Sequence, residues 1–370
     1  MKKNILFNKD FLIIIFLFIF SSLINQYYGN LGAFPHDSFS HFETGFRILN
    51  GEHPFENFWI ISGPFVDYLQ GLFFYLFGVS WKTYVLHASI LNGVLSIVTF
   101  IVLRNFNLSI LYSSIYTVFF SILAYPSSGT PFVDHHSTFL SLLGIYSILL
   151  GIKKENIFYW IISPTLFIFA FLSKQVPVSY IIIPTILILS FYFIENKKYN
   201  LLLTSLLTSI FLIIFLFFFG SINGITLTSF LEQYIFYPQT VGQSRFQEVM
   251  NISIWGIVGH FKFILISLVP LIYINLKNFY LSKTYYKKND FYYFLILFFF
   301  TFSLIFHQIL TKNQTFIFFL IPILVAFSHI YLGKIKPIFN YLIIIFCLFI
   351  TTKYHLRFNE GRKFHELANV

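Results

Sequence analysis

The chain has 370 residues, 57% of them hydrophobic, 22% aromatic and 10% charged, against about 25% charged in a soluble domain. That polar fraction is too small to wrap such a core in water, which excludes a soluble fold. The formal charge of +10 comes as short basic clusters between apolar runs, a pattern suited to anionic lipid head groups and unlike the continuous stripe of a nucleic-acid binder.

The predicted elements are helices throughout. Uninterrupted apolar runs such as Phe11–Phe20, Leu201–Phe219 and Phe291–Phe300 give the hydropathy of an all-α polytopic membrane protein. Lys2 and Lys3 precede the first run and no small-x-small cleavage site follows Phe20, so this segment reads as an uncleaved first helix. Spans are expected at 11–26, 83–103, 109–125, 137–151, 157–172, 177–194, 201–219, 256–276, 291–310, 315–332 and 338–352, about eleven crossings in a single domain over 1–370. Segment 63–79 holds Asp67 and Gln70 one turn apart and suits a helix lying at the interface or dipping partly into the membrane. Cys347, the single cysteine, lies in an apolar run, so neither an intrachain disulfide nor a thiolate metal cluster is expected.

Loop charge sets the orientation. With the N-terminus inside, Lys2, Lys3, Lys9, Arg104, Lys153, Lys154, Lys197, Lys198, Lys277, Lys283, Lys287, Lys288, Lys334 and Lys336 fall on the inner side. Apart from the C-terminal tail, the outer segments hold only Arg47, Lys82, Lys174, Arg245, Lys262 and Lys312. Cytoplasmic loops are the richer in Lys and Arg, which predicts an N-in, C-out chain. The long outer loops, about 27–82 and 220–255, collect carboxylates, histidines, glycines and aromatics, so any chemistry is expected on the outer face.

In the first outer loop, residues 38–50 have helical spacing, with Phe39, Phe42, Phe46 and Leu49 on one face and Gly51 after the end. Asp37 or Ser38 stands at the N-cap position of this amphipathic helix. Asp37 therefore has two readings, a helix cap or a general base for a substrate hydroxyl. The second outer loop brings Asp134, His135 and His136 to the mouth of the fourth span. Neighbouring helical residues point apart, so a divalent metal ion on Asp134 or His135 would need further ligands such as Asp37 or Glu43. The other reading of these three is as interfacial hydrogen-bonding groups. Lys174, in Ser173-Lys174-Gln175 after the fifth span, has no acidic neighbour in sequence. It either snorkels to the head groups or holds a phosphate. Arg245 has the fork for bidentate phosphate binding, and Lys312 is a further cation of the same face. His307 and Gln308 lie near the outer end of the ninth span and receive no role. No phosphate-cradling glycine loop, nucleophile elbow or paired-cysteine zinc motif is present.

The order Asp37, Phe46-Arg-Ile-Leu-Asn-Gly, Pro54-Phe-Glu-Asn-Phe and Gly63-Pro resembles the first outer loop of GT-C glycosyltransferases. The branch it resembles is glycosyltransferase family 39, which includes protein O-mannosyltransferases and aminoarabinose transferases. The likeness is strongest over about 30–80 and looser through Asp134-His-His and Ser173-Lys-Gln. It implies a GT-C-like fold and inverting transfer of a sugar from a polyprenyl-phosphate donor to a hydroxyl of a glycan, lipid or protein acceptor, outside a bacterial inner (plasma) membrane. Asp37 would be the catalytic base. Glu43, Asp134, His135, His136, Lys174, Gln175 and Arg245 would bind substrate, and membrane lipids would be its surroundings, with no nucleic acid. The alternative is a transporter or flippase of a lipid-linked or small polar solute. That reading predicts ionisable groups near the bilayer midplane, where these spans are almost purely apolar.

An impermeant thiol reagent applied from outside is expected to label a cysteine placed at Ser38 and to miss one placed at Asn289. The reverse labelling would invert the orientation.

Overall fold

The computed structural model describes residues 2–32, 40–249, 254–281, 288–311, 317–332 and 338–360. Their elements, in chain order, are α1 (Lys2–Gly29), α2 (Ser40–Leu49), α3 (Pro64–Phe77), α4 (Trp81–Asn105), α5 (Ile110–Leu123), α6 (Val133–Lys154), α7 (Ile157–Ser173) and α8 (Gln175–Asn196). There follow α9 (Tyr199–Ile222), α10 (Leu227–Phe230), α11 (Tyr237–Val249), α12 (Ile254–Leu281), α13 (Lys288–Thr311), α14 (Leu320–Leu332) and α15 (Ile338–His355). Among the described residues, nine helices are long and apolar enough to cross a membrane, and α7 and α14 are shorter apolar helices between them. Together these occupy the eleven expected spans, and the protein is an integral, multi-pass membrane protein.

The two helices of the first long loop are not spans. α3, with 14 residues, is neither one of these nine helices nor one of the two shorter apolar ones. It begins at Pro64, whose fixed φ suits the first helical position, and it packs against α2 and α4 with Asp67 and Gln70 buried. α2 covers residues 40–49 of the expected 38–50, and Gly51 follows it at φ +84°. The N-cap expected at Asp37 or Ser38 lies outside the described residues.

α6 is the axis of the bundle. Its membrane-crossing stretch is wholly buried, and it packs on α7, α8, α4 and α13. Close approach of α6 and α7 depends on small residues, because lipid supplies no hydrophobic force between helices. Gly144 lies under the Phe167 ring and Gly151 under Trp160, so that a Cβ would stand 3.1 and 3.0 Å from those rings. Polar contacts join other pairs: Asn92 on α4 donates to the carbonyls of Ser21 (2.8 Å) and Ser121 (3.2 Å), and Asn25 on α1 to the Ser89 hydroxyl at 3.0 Å. At the opposite extreme, α9 has no buried residue; it lies at the edge of the bundle against α7 and α8.

Side-chain ties identify the two ends of the bundle. Asp10 meets Arg104 at 3.5 Å, Glu155 meets Lys198 at 2.7 Å, and Tyr292 donates to Glu195. At the other end, Tyr28 bonds His355 at 2.9 Å, and the segment after α15 adjoins the 3-10 turn Tyr125–Ser127. The helices therefore alternate in direction as an odd number of crossings requires. The polar residues of the first long loop collect at the second end.

Candidate active site

The site is built on the first turn of α6. Asp134 is buried there, and each of its oxygens has a donor of its own. Oδ2 lies 2.6 Å from Nζ of Lys174, and Oδ1 lies 2.8 Å from Nε2 of His307 on α13. Lys174 follows α7 with extended backbone at φ −163°, ψ 138°, and Val176 is extended as well (φ −122°, ψ 142°), so the connection from α7 to the regular part of α8 runs through Lys174, Gln175 and Val176. The Lys174 N–H donates to the Ala170 carbonyl at 3.0 Å, and its own carbonyl accepts from the Ser137 hydroxyl at 3.1 Å. Both its main chain and its side chain are thus fastened to α6. Lys174 has no acidic neighbour in sequence; its partner stands forty residues upstream. His307, which received no role from the sequence, is the second support of the same carboxylate. The signal it did carry was an imidazole at the end of an apolar span, where polar side chains face the bundle.

His135 and His136 diverge, as successive helical residues must. His135 Nε2 lies 3.1 Å from the Ser127 hydroxyl. His136 Nε2 lies 2.9 Å from Nε2 of His87 on α4, and His87 Nδ1 lies 2.9 Å from Oε1 of Gln70 on α3. His136 Nδ1 meets both the Tyr125 hydroxyl and, at 3.2 Å, the Phe132 carbonyl, so a chain of polar contacts runs through Tyr125, His136, His87 and Gln70.

A second acidic group faces this chain from the first loop. His41 on α2 donates from Nδ1 to Oδ1 of the buried Asp67 at 2.7 Å, and the Thr44 hydroxyl donates to the same oxygen. The His41 ring fits because Gly63 precedes α3; a Cβ there would come within 2.7 Å of Cε1, and the backbone at φ +88° favours glycine. Oδ2 of Asp67 is buried without a hydrogen-bond partner. Tyr68, whose hydroxyl meets His53 at 2.9 Å, is pushed up to about 12, first by burial and then by the Asp67 charge. It is neutral at any physiological pH.

The other expected residues divide. Glu43 is exposed on α2, 3.9 Å from Arg47, whose closer partner is Glu52 at 2.7 Å. Gln175 donates to the carbonyls of Ile61 (2.8 Å) and Tyr234 (2.6 Å). Gln233 repeats the device, donating to the Phe55 carbonyl at 3.2 Å and accepting from the Ile60 N–H at 3.1 Å. These amides bind the first long loop to the segment after α10. Asp37, Lys312 and the side chain of Arg245, on α11, lie outside the described residues. Among the described residues, no group of three or more His, Cys, Asp or Glu side chains is placed to hold a metal ion. Because both oxygens of Asp134 are engaged, an ion bound there would have to displace Lys174 or stand beside its charge.

Beside this cluster runs a groove of about 890 Å³ between α7, α8 and α9, closed at its upper end by Pro54, Phe55, Tyr68 and Phe230. Its walls are almost entirely apolar, and along α7 it extends from Trp160 to Leu172, roughly 18 Å at the helical rise. Its volume falls within the range of about 300–1,000 Å³ usual for ligand pockets.

Fold and site define an all-α membrane protein with buried carboxylates at one end and an apolar groove beside them, and part of its sequence is similar to a known family. Residues 52–222 match the model of the dolichyl-phosphate-mannose-protein mannosyltransferase family. The match takes in Asp67, Asp134, Lys174 and all of α3 to α9, and begins after Asp37 and His41. It supports a membrane glycosyltransferase of the GT-C type. No curated protein matches the chain.

Removing one partner of a buried ion pair costs about 3–5 kcal/mol. Asp134→Ala is expected to lower the unfolding temperature in detergent markedly, and Asp134→Asn, which keeps an acceptor for one donor, to lower it less. Equal stability of Asp134→Ala and the parent would show that the carboxylate does not hold α7, α8 and α13 to α6.

Proposed function

We propose that the protein transfers a sugar from a polyprenyl-phosphate donor to an acceptor hydroxyl on the outer face of the membrane, with inversion at the anomeric carbon. The acceptor oxygen forms its bond to that carbon as the bond to the phosphate oxygen breaks. The electron pair leaves with the phosphate, and the acceptor proton goes to Asp37. The observation that carries this reading is the position of Lys174. It stands two residues after Leu172, the last residue of α7 that lines the groove, and on this reading the phosphate of a prenyl chain lying between α7, α8 and α9 is bound by this lysine.

The ammonium of Lys174 has three N–H groups, of which Asp134 takes one. The others are available to phosphate oxygens, where a charge-assisted bond stabilises the leaving group as its charge develops. Arg245 supplies a second cation from α11. Asp134 and His307 hold Lys174 in position, and Asp134 borders the space for the sugar. Glu43, exposed on α2, is the carboxylate open to an acceptor. His135, His136 and Gln175 act through shape, since their polar atoms engage Ser127, His87 and loop carbonyls. The transporter reading is less favoured, because the described carboxylates of the cluster, Asp67 and Asp134, stand at the ends of their helices and not midway along the spans.

The test is Asp37→Asn, which retains a side-chain oxygen for capping but cannot accept the proton. The variant is expected to insert normally and bind donor, with transfer of radiolabelled sugar from a polyprenyl phosphate reduced about a hundredfold or more. Near-normal transfer would remove Asp37 as the base.

For the phosphate, Lys174→Ala is expected to weaken donor use by roughly 1.5–3 kcal/mol, and by more than Lys312→Ala does. Small, equal effects would leave Lys174 with its structural role alone.

A further inference from the structure

A second hollow, of about 130 Å³, opens at the same end of the bundle between α12 and the end of α15. It shares no lining residue with the groove, and α12 and α15 adjoin α14, α13 and α5, away from α7 and α9. Three cations surround it: Lys262, Lys353 and Arg357. The amino groups of Lys262 and Lys353 lie 5.4 and 4.9 Å from the centre of one ring, Phe263, and the Arg357 guanidinium lies 5.2 Å from Phe358. Among the described residues Arg47, Arg104, Lys174 and Lys198 each have a carboxylate partner. Among the described residues these three have none, and no described carboxylate lines the hollow.

Like charges gathered without an anion repel one another, so an anionic occupant removes a cost as well as adding contacts. The faces below the cations say what kind of anion. On α15, Ile345, Leu348 and Phe349 are at least half exposed, and on α12 Ile266 and Val269 are similarly open. These outward apolar faces descend from the basic rim in the direction acyl chains would take. Trp255, 83% exposed at the start of α12, is a residue type enriched at the membrane interface.

We propose that Lys262, Lys353 and Arg357 bind the phosphate head group of an anionic membrane lipid, whose acyl chains lie along α12 and α15. This is a second lipid site, on the flank away from the groove, and it stands whether or not the groove holds a prenyl chain. A free phosphate would satisfy the cations but not the apolar faces.

The test uses the full chain in detergent, with bound lipid measured by native mass spectrometry. Phosphatidylglycerol is expected to bind more tightly than phosphatidylcholine. The combined variant Lys262→Gln, Lys353→Gln, Arg357→Gln should lower phosphatidylglycerol binding at least about tenfold. Lys262→Arg, Lys353→Arg, Arg357→Lys should retain it, as should Lys277→Gln at the other end of α12. If the glutamine combination does not fold, Arg357→Gln alone is expected to show a smaller loss in the same direction. Equal binding of the two lipids, or no loss in the glutamine variants, would overturn the proposal. Binding of inorganic phosphate as tight as that of the lipid would replace it with a plain anion site.

Discussion

The arrangement of the site depends on one carboxylate. Asp134 begins the most deeply buried helix and is held by an ammonium from the α7–α8 connection and an imidazole from α13. Burying a charge is unfavourable unless its partners compensate closely, so the three elements that supply and receive these bonds are restricted to one relative placement. The short link at Lys174 makes that restriction effective. At Lys174 both the carbonyl and the ammonium are bonded to α6, and the two helices that this connection joins are walls of the groove. The position of the ammonium and the shape of the adjoining cavity are therefore set together.

Much of this was legible in the chain itself. The spans could be read because lipid demands long apolar runs and leaves their lengths visible. The concentration of acids and histidines at one end followed from loop charge. Pairing was not legible. Lys174 and Asp134 are far apart in sequence and meet only because α6 lies against α7 and α8, and His307 reaches the same carboxylate from a helix whose sequence gives no sign of its neighbours. The buried dyad of His41 and Asp67 escaped assignment for a related reason. Its acid lies in segment 63–79, where an interfacial helix and one dipping partly into the membrane could not be told apart until the packing of α3 was known. Gln175 illustrates the converse case. Its place beside Lys174 suggested substrate, and nothing in the sequence signalled that its amide also joins two loops.

Those loops, though distant in sequence, behave as one layer. Gln175 and Gln233 tie the 54–61 stretch to the segment after α10, and Phe55, Phe58, Ile60 and Tyr234 form a small core of their own beneath it. This layer roofs the upper end of the groove. A roof made from both loops explains how a site can rest on short irregular segments without exposing their backbone groups to hydrocarbon, where unsatisfied amides are costly.

The bareness of α9 has a consequence for how concentration should be reckoned. A helix with no buried residue, bordering an apolar groove at the rim of the bundle, leaves the groove approachable from the side. A prenyl-chain donor would then arrive by diffusion in two dimensions, never leaving hydrocarbon. Saturation of such a site is governed by mole fraction among the surrounding lipids, so diluting the same donor with inert lipid would desaturate it even at constant bulk concentration.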